Sequence, residues 1–175
     1  MVALAPLVAP DLAEPDRDDL RRLLNILLDE NAPLAELDAE VEGLQGRFRF
    51  GLVLGALLKC LLRERFGVVP EPAALDEYAA EAYRDALGEP TEDGEAPPEP
   101  AVFSELLASF ADPTRTAWRR ILLEDHLSVT LQILGSLLQD RQETGADTSA
   151  HIDQAVEEGM LMARAVRESV DHREQ

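Results

Sequence analysis

Residues 48–66 read FRFGLVLGALLKCLLRERF, and the fold class follows from where this stretch keeps its polar groups. Between Phe50 and Leu62 only Lys59 is charged, so a helix built from it has almost no polar face. A helix that is apolar nearly all round belongs at the centre of a bundle, wrapped by others. The run falls short of the roughly 20 apolar residues that a bilayer requires, which argues against a membrane span. Gly51 and Gly55, one turn apart, suit close approach of a neighbouring backbone inside such a bundle.

On the N-terminal side, Leu20, Leu23, Leu24, Leu27 and Leu28 repeat at three and four, the spacing of one helical face. Pro15 fits the first helical position, and Asp16, Asp18 and Asp19 complement the positive end of the helix dipole. Asn31-Ala32-Pro33 stops this helix. Leu34, Leu37, Val41, Leu44 and Phe48 continue with a heptad-like seam, and Gly43 and Gly46 predict a kink or break within it.

On the C-terminal side, Gly67-Val68-Val69-Pro70 ends the central helix, and Pro72 starts another that runs to Leu87. Its face is Leu75, Tyr78, Ala79, Ala82 and Ala86, with Gly88 as the stop. Residues 89–100, EPTEDGEAPPEP, bury too little apolar area to fold and read as an extended acidic loop. Val102, Phe103, Leu106, Leu107 and Phe110 predict a short amphipathic helix. Asp112-Pro113 then reads as an N-cap and first-turn proline opening a long helix to about Arg141. A last helix over about 149–171 turns Ile152, Ala155, Val156, Gly159, Met160, Ala163, Val166 and Val170 to one side.

The expectation is therefore an all-α, single-domain bundle of about six helices over 15–172. Its two buried central helices fall at about 48–66 and 118–138, and residues 1–14 read as a flexible apolar tail. A composition rich in Leu and Ala and poor in β-branched and aromatic residues agrees.

Charge narrows the function classes. The 175 residues hold 35 acids against 16 Lys and Arg, a formal charge of −19. Nucleic-acid binding relies on cations that displace phosphate counterions, and anionic lipid surfaces repel such a chain for the same Coulombic reason. A protein partner with a basic surface is instead steered inward. Acidity that serves only to keep the chain in solution is the plainer alternative. The single Cys60 excludes an internal disulfide, and the opening MVALAPLVAP lacks the basic start of a signal peptide. A cytoplasmic protein is expected.

Motifs for chemistry are sparse. The Glu-x-x-His pairs of di-iron bundles are missing, zinc spacing is missing, and there is no GxSxG or Gly-rich phosphate loop. No catalytic residue, metal or cofactor is expected. Two groups of polar residues sit in apolar surroundings. His126 and Thr130, one turn apart, fall within the leucine-rich arc of 118–138, either as satisfied core groups or as a polar anchor for a ligand or partner peptide. Arg49, Lys59 and Arg63 share one side of the central helix, either paired with acids of neighbouring helices or forming an anion site.

Glu124-Asp125-His126-Leu127, followed by Leu131, Leu134, Leu137 and Leu138, resembles the Asp-His-Leu segment of the TorD/NarJ-type redox-enzyme maturation chaperones. The resemblance covers residues 124–138, and the proline that usually precedes the Asp-His pair is absent. It implies an all-α cytoplasmic protein that binds twin-arginine signal peptides and cofactor-free enzyme subunits. The residues themselves point to a non-catalytic interaction module: an adaptor, a chaperone or an inhibitor of a basic partner. A homodimer is compatible with this, two-fold dimers being the commonest oligomers. The alternatives are a bundle that binds a small ligand or anion, and an all-α enzyme using carboxylates and His126.

Overall fold

A computed structural model of the chain describes residues 13–29, 31–88, 100–111, 124–145 and 149–171. These residues form an all-α helical bundle with no strand among them. Seven helices follow one another: α1 (Arg17–Leu28), α2 (Leu34–Glu40), α3 (Gly43–Phe66), α4 (Pro72–Gly88), α5 (Pro100–Ala111), α6 (Glu124–Thr144) and α7 (Ser149–Asp171). None of the described helices is long and apolar enough to cross a membrane.

The break expected near Gly43 and Gly46 is present, and seven helices stand among the described residues where about six were expected. Val41 leaves helical geometry, Gly43 takes φ +75°, and α3 starts there, ahead of the expected Phe48. A side chain at that φ is strained, so glycine lets the chain turn where the heptad-like seam would have run on. Helix α1 also starts later than expected. Asp16 is its N-cap, with a carboxylate oxygen 3.0 Å from the Asp18 N–H, and Pro15 lies buried ahead of it.

The chain gathers into two compact units, one comprising residues up to 56 with those from 152 onward, the other residues 57–151. In the first, α1 packs on α2 and buries Leu20, Leu23 and Leu24. Leu20 lies against Gly159 of α7. Arg17 and Arg21 of α1 pair with Glu157 and Asp153 of α7, while Arg22 reaches Glu40. Ion pairs exposed to water are screened and contribute little, so the apolar seam beneath them carries the packing. Gln45 donates to the Ala13 carbonyl at 2.8 Å, and Glu14 meets Arg164 and Arg167, which ties these residues to the helices.

In the second unit, α4 packs on α5 and both meet α6. Phe103 of α5 is fully buried and meets Tyr83 of α4 edge-on, ring centroids 5.6 Å apart. Tyr78 of α4 donates its hydroxyl to Ser136 Oγ of α6 at 3.1 Å. The Arg65 guanidinium of α3 stacks 4.5 Å from the Tyr78 ring centroid and pairs with Asp140. The central stretch of α3 is as buried as its composition demands: positions 51–58 and 60–62 are all buried. Helix α6 is more one-sided. Val129, Thr130, Ile133, Leu134 and Leu137 are buried, whereas Leu131 is 40% exposed beside exposed Ser128 and Gly135. At 100° per residue Leu131 points away from both Val129 and Ile133, so the apolar arc is narrower than its leucines suggest.

The acidic stretch 89–99, the opening of the long helix at 112–123 and the apolar start at 1–12 lie outside the described residues.

Candidate functional site

Where α3 ends, the chain must turn within five residues before Pro72 can begin α4. Gly67 makes that turn at φ +80°, its N–H bonding the Arg63 carbonyl at 2.9 Å in the manner of a left-handed helix cap. Val68 and Val69 are carried into solvent by this geometry, 77% and 86% exposed, and Pro70 follows. This loop forms one wall of a cleft. Leu62 supplies a second wall, and Leu75 of α4 with Leu107 and Phe110 of α5 supply the rest. The enclosed space is about 170 Å³ and its lining is mainly apolar.

Two cations edge this apolar space. Lys59 and Arg63 both line it, and both are half-buried. Four residues apart on one helix, they are neighbours on its face, Cβ to Cβ about 6 Å. Each also interacts elsewhere in the chain. Arg63 lies in the last turn of α3, where a cation also complements the helix dipole.

The third member of the expected cationic group does not line this cleft. Arg49 faces Asp19 at 3.3 Å and the Glu40 carbonyl at 3.5 Å, with a fifth of its side chain exposed. Its partners are thus those of an ion pair between helices. Thr130 is fully buried and holds an interaction within the chain, the environment of a satisfied core hydroxyl. His126 falls in the first turn of α6, and its side chain lies outside the described residues. Cys60 is a buried thiol outside any disulfide, as its place in α3 implies.

A second polar group was not singled out from the sequence. Glu64 Oε2 pairs with Arg141 and lies 2.8 Å from His151 Nε2. An imidazole that gives its Nε2 proton to a carboxylate keeps Nδ1 as an acceptor. Here Nδ1 is buried without a hydrogen-bond partner. Residues 64, 141 and 151 come from three helices, and no spacing in the chain announces their meeting. An open hollow of about 260 Å³ adjoins Glu64 and Arg141 and is also bordered by Arg65 and Asp140. Its described lining residues include two carboxylates and two guanidiniums. Among the described residues no group of three or more His, Cys, Asp or Glu could hold a metal ion.

Burial pushes the Tyr78 hydroxyl above its ordinary ionisation range, the hydrogen bond to Ser136 opposing this in part. A buried phenolate would lose its hydration, which is why the neutral form persists.

Of the five candidate residues, the structure brings Lys59 and Arg63 to one cleft, pairs Arg49 with Asp19 and buries Thr130, while the side chain of His126 lies outside the described residues. Val68 and Val69, read from the sequence only as a helix end, form the cleft's exposed wall. The signal was present in a pair of large aliphatic residues between a turn glycine and a proline, where no core is close enough in sequence to cover them. No known protein family, curated protein or solved structure matches this chain.

Proposed function

We propose that the chain is a non-catalytic, acidic helical interaction module that receives an apolar anchor of a partner protein in the cleft between the α3–α4 loop and α5. The observation that carries this reading is the cleft itself, with Val68 and Val69 held in water at its edge. Large aliphatic side chains exposed beside an apolar hollow are the surface that a partner buries.

Size favours a partner's side chain over a cofactor. Pockets for drug-sized molecules are on the order of 300–1,000 Å³, and about 170 Å³ is below that range. One large or two small apolar side chains fill it. The charge of −19 supports a partner whose remaining surface is basic, because such a field raises association rates at low salt. The module is then an adaptor, a chaperone or an inhibitor, according to what the partner does.

Val69→Asp tests this reading. The residue is 86% exposed and contributes little to the core, so the variant should fold as the parent does. Immobilised parent protein should retain a partner that immobilised Val69→Asp does not, and the purified partner should bind the parent in calorimetry. Equal retention by both proteins would remove the cleft from the interaction.

A further inference from the structure

We infer that a partner segment seated in the cleft leaves it along the outer face of α4 and carries Lys or Arg there, so that the unit recognised is an apolar anchor with bases to one side of it. This rests on the docking reading above and adds a direction and a chemistry to it. Lys59 and Arg63 at the α3 edge are engaged within the chain, and they ask nothing of a ligand. The opposite wall carries the other sign of charge. Val68 and Val69 lead through Pro70 into α4, whose first turn supplies Leu75 to the hollow. Glu71, Asp76 and Glu77 flank these wall residues in the chain, Glu81 and Asp85 follow, and all five are exposed.

Exposed carboxylates are in themselves only a wet helix surface. This row differs because it acts against its own helix. Glu77, Glu81 and Asp85 succeed one another at four-residue intervals, where like charges repel. Asp85 also falls in the last turn of α4, at the negative end of the helix dipole, where a cation is the stabilising choice. Among the described residues none of the five carboxylates has an ion-pair partner, while Glu64 and Asp140 of the same unit each meet an arginine. Arg84, the sole base in the sequence of α4, gives its Nε proton to the Ala80 carbonyl at 3.2 Å. Local charge rules are broken in this way where a function needs them broken, and cations brought by a partner complete the row.

The geometry suits one continuous segment. Four residues of helix rise about 6 Å, and Leu75 to Asp85 spans about 15 Å. Lys or Arg at every fourth position of a helical segment repeats at the same 6 Å interval, and twelve such residues reach about 18 Å, enough for the anchor and the row together.

The test selects a displayed library of random dodecapeptides on the full chain and measures the enriched peptides against three variants. Glu77→Gln/Glu81→Gln/Asp85→Asn removes the α4 row. Glu36→Gln/Asp38→Asn/Glu42→Gln removes the same charge from exposed positions of the other unit and so controls for net charge. Val69→Asp blocks the cleft. Enriched sequences should hold a large apolar residue with at least two Lys or Arg on one side of it. The α4 triple variant should bind them about 10-fold more weakly, chiefly through slower association. Its Tm should equal or exceed that of the parent, because the like charges are gone. The control triple variant should bind within about 2-fold of the parent, since only the screened long-range field has changed. Val69→Asp should lose the peptides.

Basic peptides weakened equally by both triple variants would show the net field at work and overturn the α4 assignment. Enriched peptides without bases would overturn it too, as would an α4 triple variant less stable than the parent, whose acids would then serve the fold. In each of these cases loss of binding to Val69→Asp leaves the docking reading standing. A library that yields no peptide, or peptides that bind Val69→Asp as they bind the parent, would overturn the inference together with the reading on which it rests.

Discussion

Replacing Gly46 with alanine puts the α2–α3 junction to a quantitative test. A Cβ built on Gly46 would lie 2.6 Å from the Glu40 carbonyl oxygen and 2.7 Å from the Val41 carbonyl carbon. The nearer approach is roughly 0.8 Å inside ordinary van der Waals range, and both partners are backbone. They cannot rotate aside as a side-chain tip can. Val41 is further held by its N–H bond to the Leu37 carbonyl at 3.0 Å. Overpacking of this kind costs about 1–3 kcal/mol. The opposing gain in helix propensity is at most about 1 kcal/mol, and less in the first turn where Gly46 sits. The net expectation is a loss of about 2 kcal/mol, which for a chain of this size lowers Tm by roughly 4–8 °C. Gly135→Ala is the matched control, because a Cβ there meets nothing within 4 Å and the position is exposed within α6. It should raise stability by about 0.8 kcal/mol, or roughly 2–3 °C. Thermal unfolding followed by circular dichroism reads both. A Gly46→Ala protein as stable as the parent, with Gly135→Ala stabilised as expected, would refute the close approach of α3 to the end of α2.

Three further outcomes follow from particular side chains. Phe103→Ala should destabilise by about 3–5 kcal/mol in denaturant titration, since the ring is fully buried and lies edge-on to Tyr83; a loss below about 1 kcal/mol would mean that α4 and α5 do not share a core there. The Tyr78 hydroxyl, raised in the folded state by burial, binds its proton more tightly than in the unfolded chain, so its contribution is intact below pH ~10 and fades as pH climbs from there. Phenolate absorbance in a Tyr83→Phe background should show Tyr78 ionising late, and Tyr78→Phe should flatten the alkaline fall in stability. Val69→Asp should leave Tm within about 2 °C of the parent, because its side chain already lies in water.

Much of this architecture was legible because it depends on periodicity. The apolar run of α3 and the face of α7 both depend on residues within a turn or two of one another, and helices are local objects. The departures arise where local rules compete. The seam from Leu34 to Phe48 is not one of them: the break that Gly43 and Gly46 predict is there, with Gly43 supplying the backbone freedom. Helix α1 begins at Arg17 and not at Pro15, because Asp16 is the N-cap, its carboxylate accepting from the Asp18 N–H. Leu131 shows the limit of counting leucines: its neighbours at 129 and 133 are buried, and two residues along a helix is nearly the opposite side.

The cleft was legible only in fragments, and the reason is physical. Placing Arg49, Lys59 and Arg63 on one side of a helix says which way they point, but their chemistry depends on what other segments bring to meet them. Asp19 and the Glu40 carbonyl come to Arg49 and make it a structural cation. Leu107 and Phe110 come to Lys59 and Arg63, and turn the same residue types into the edge of an apolar hollow.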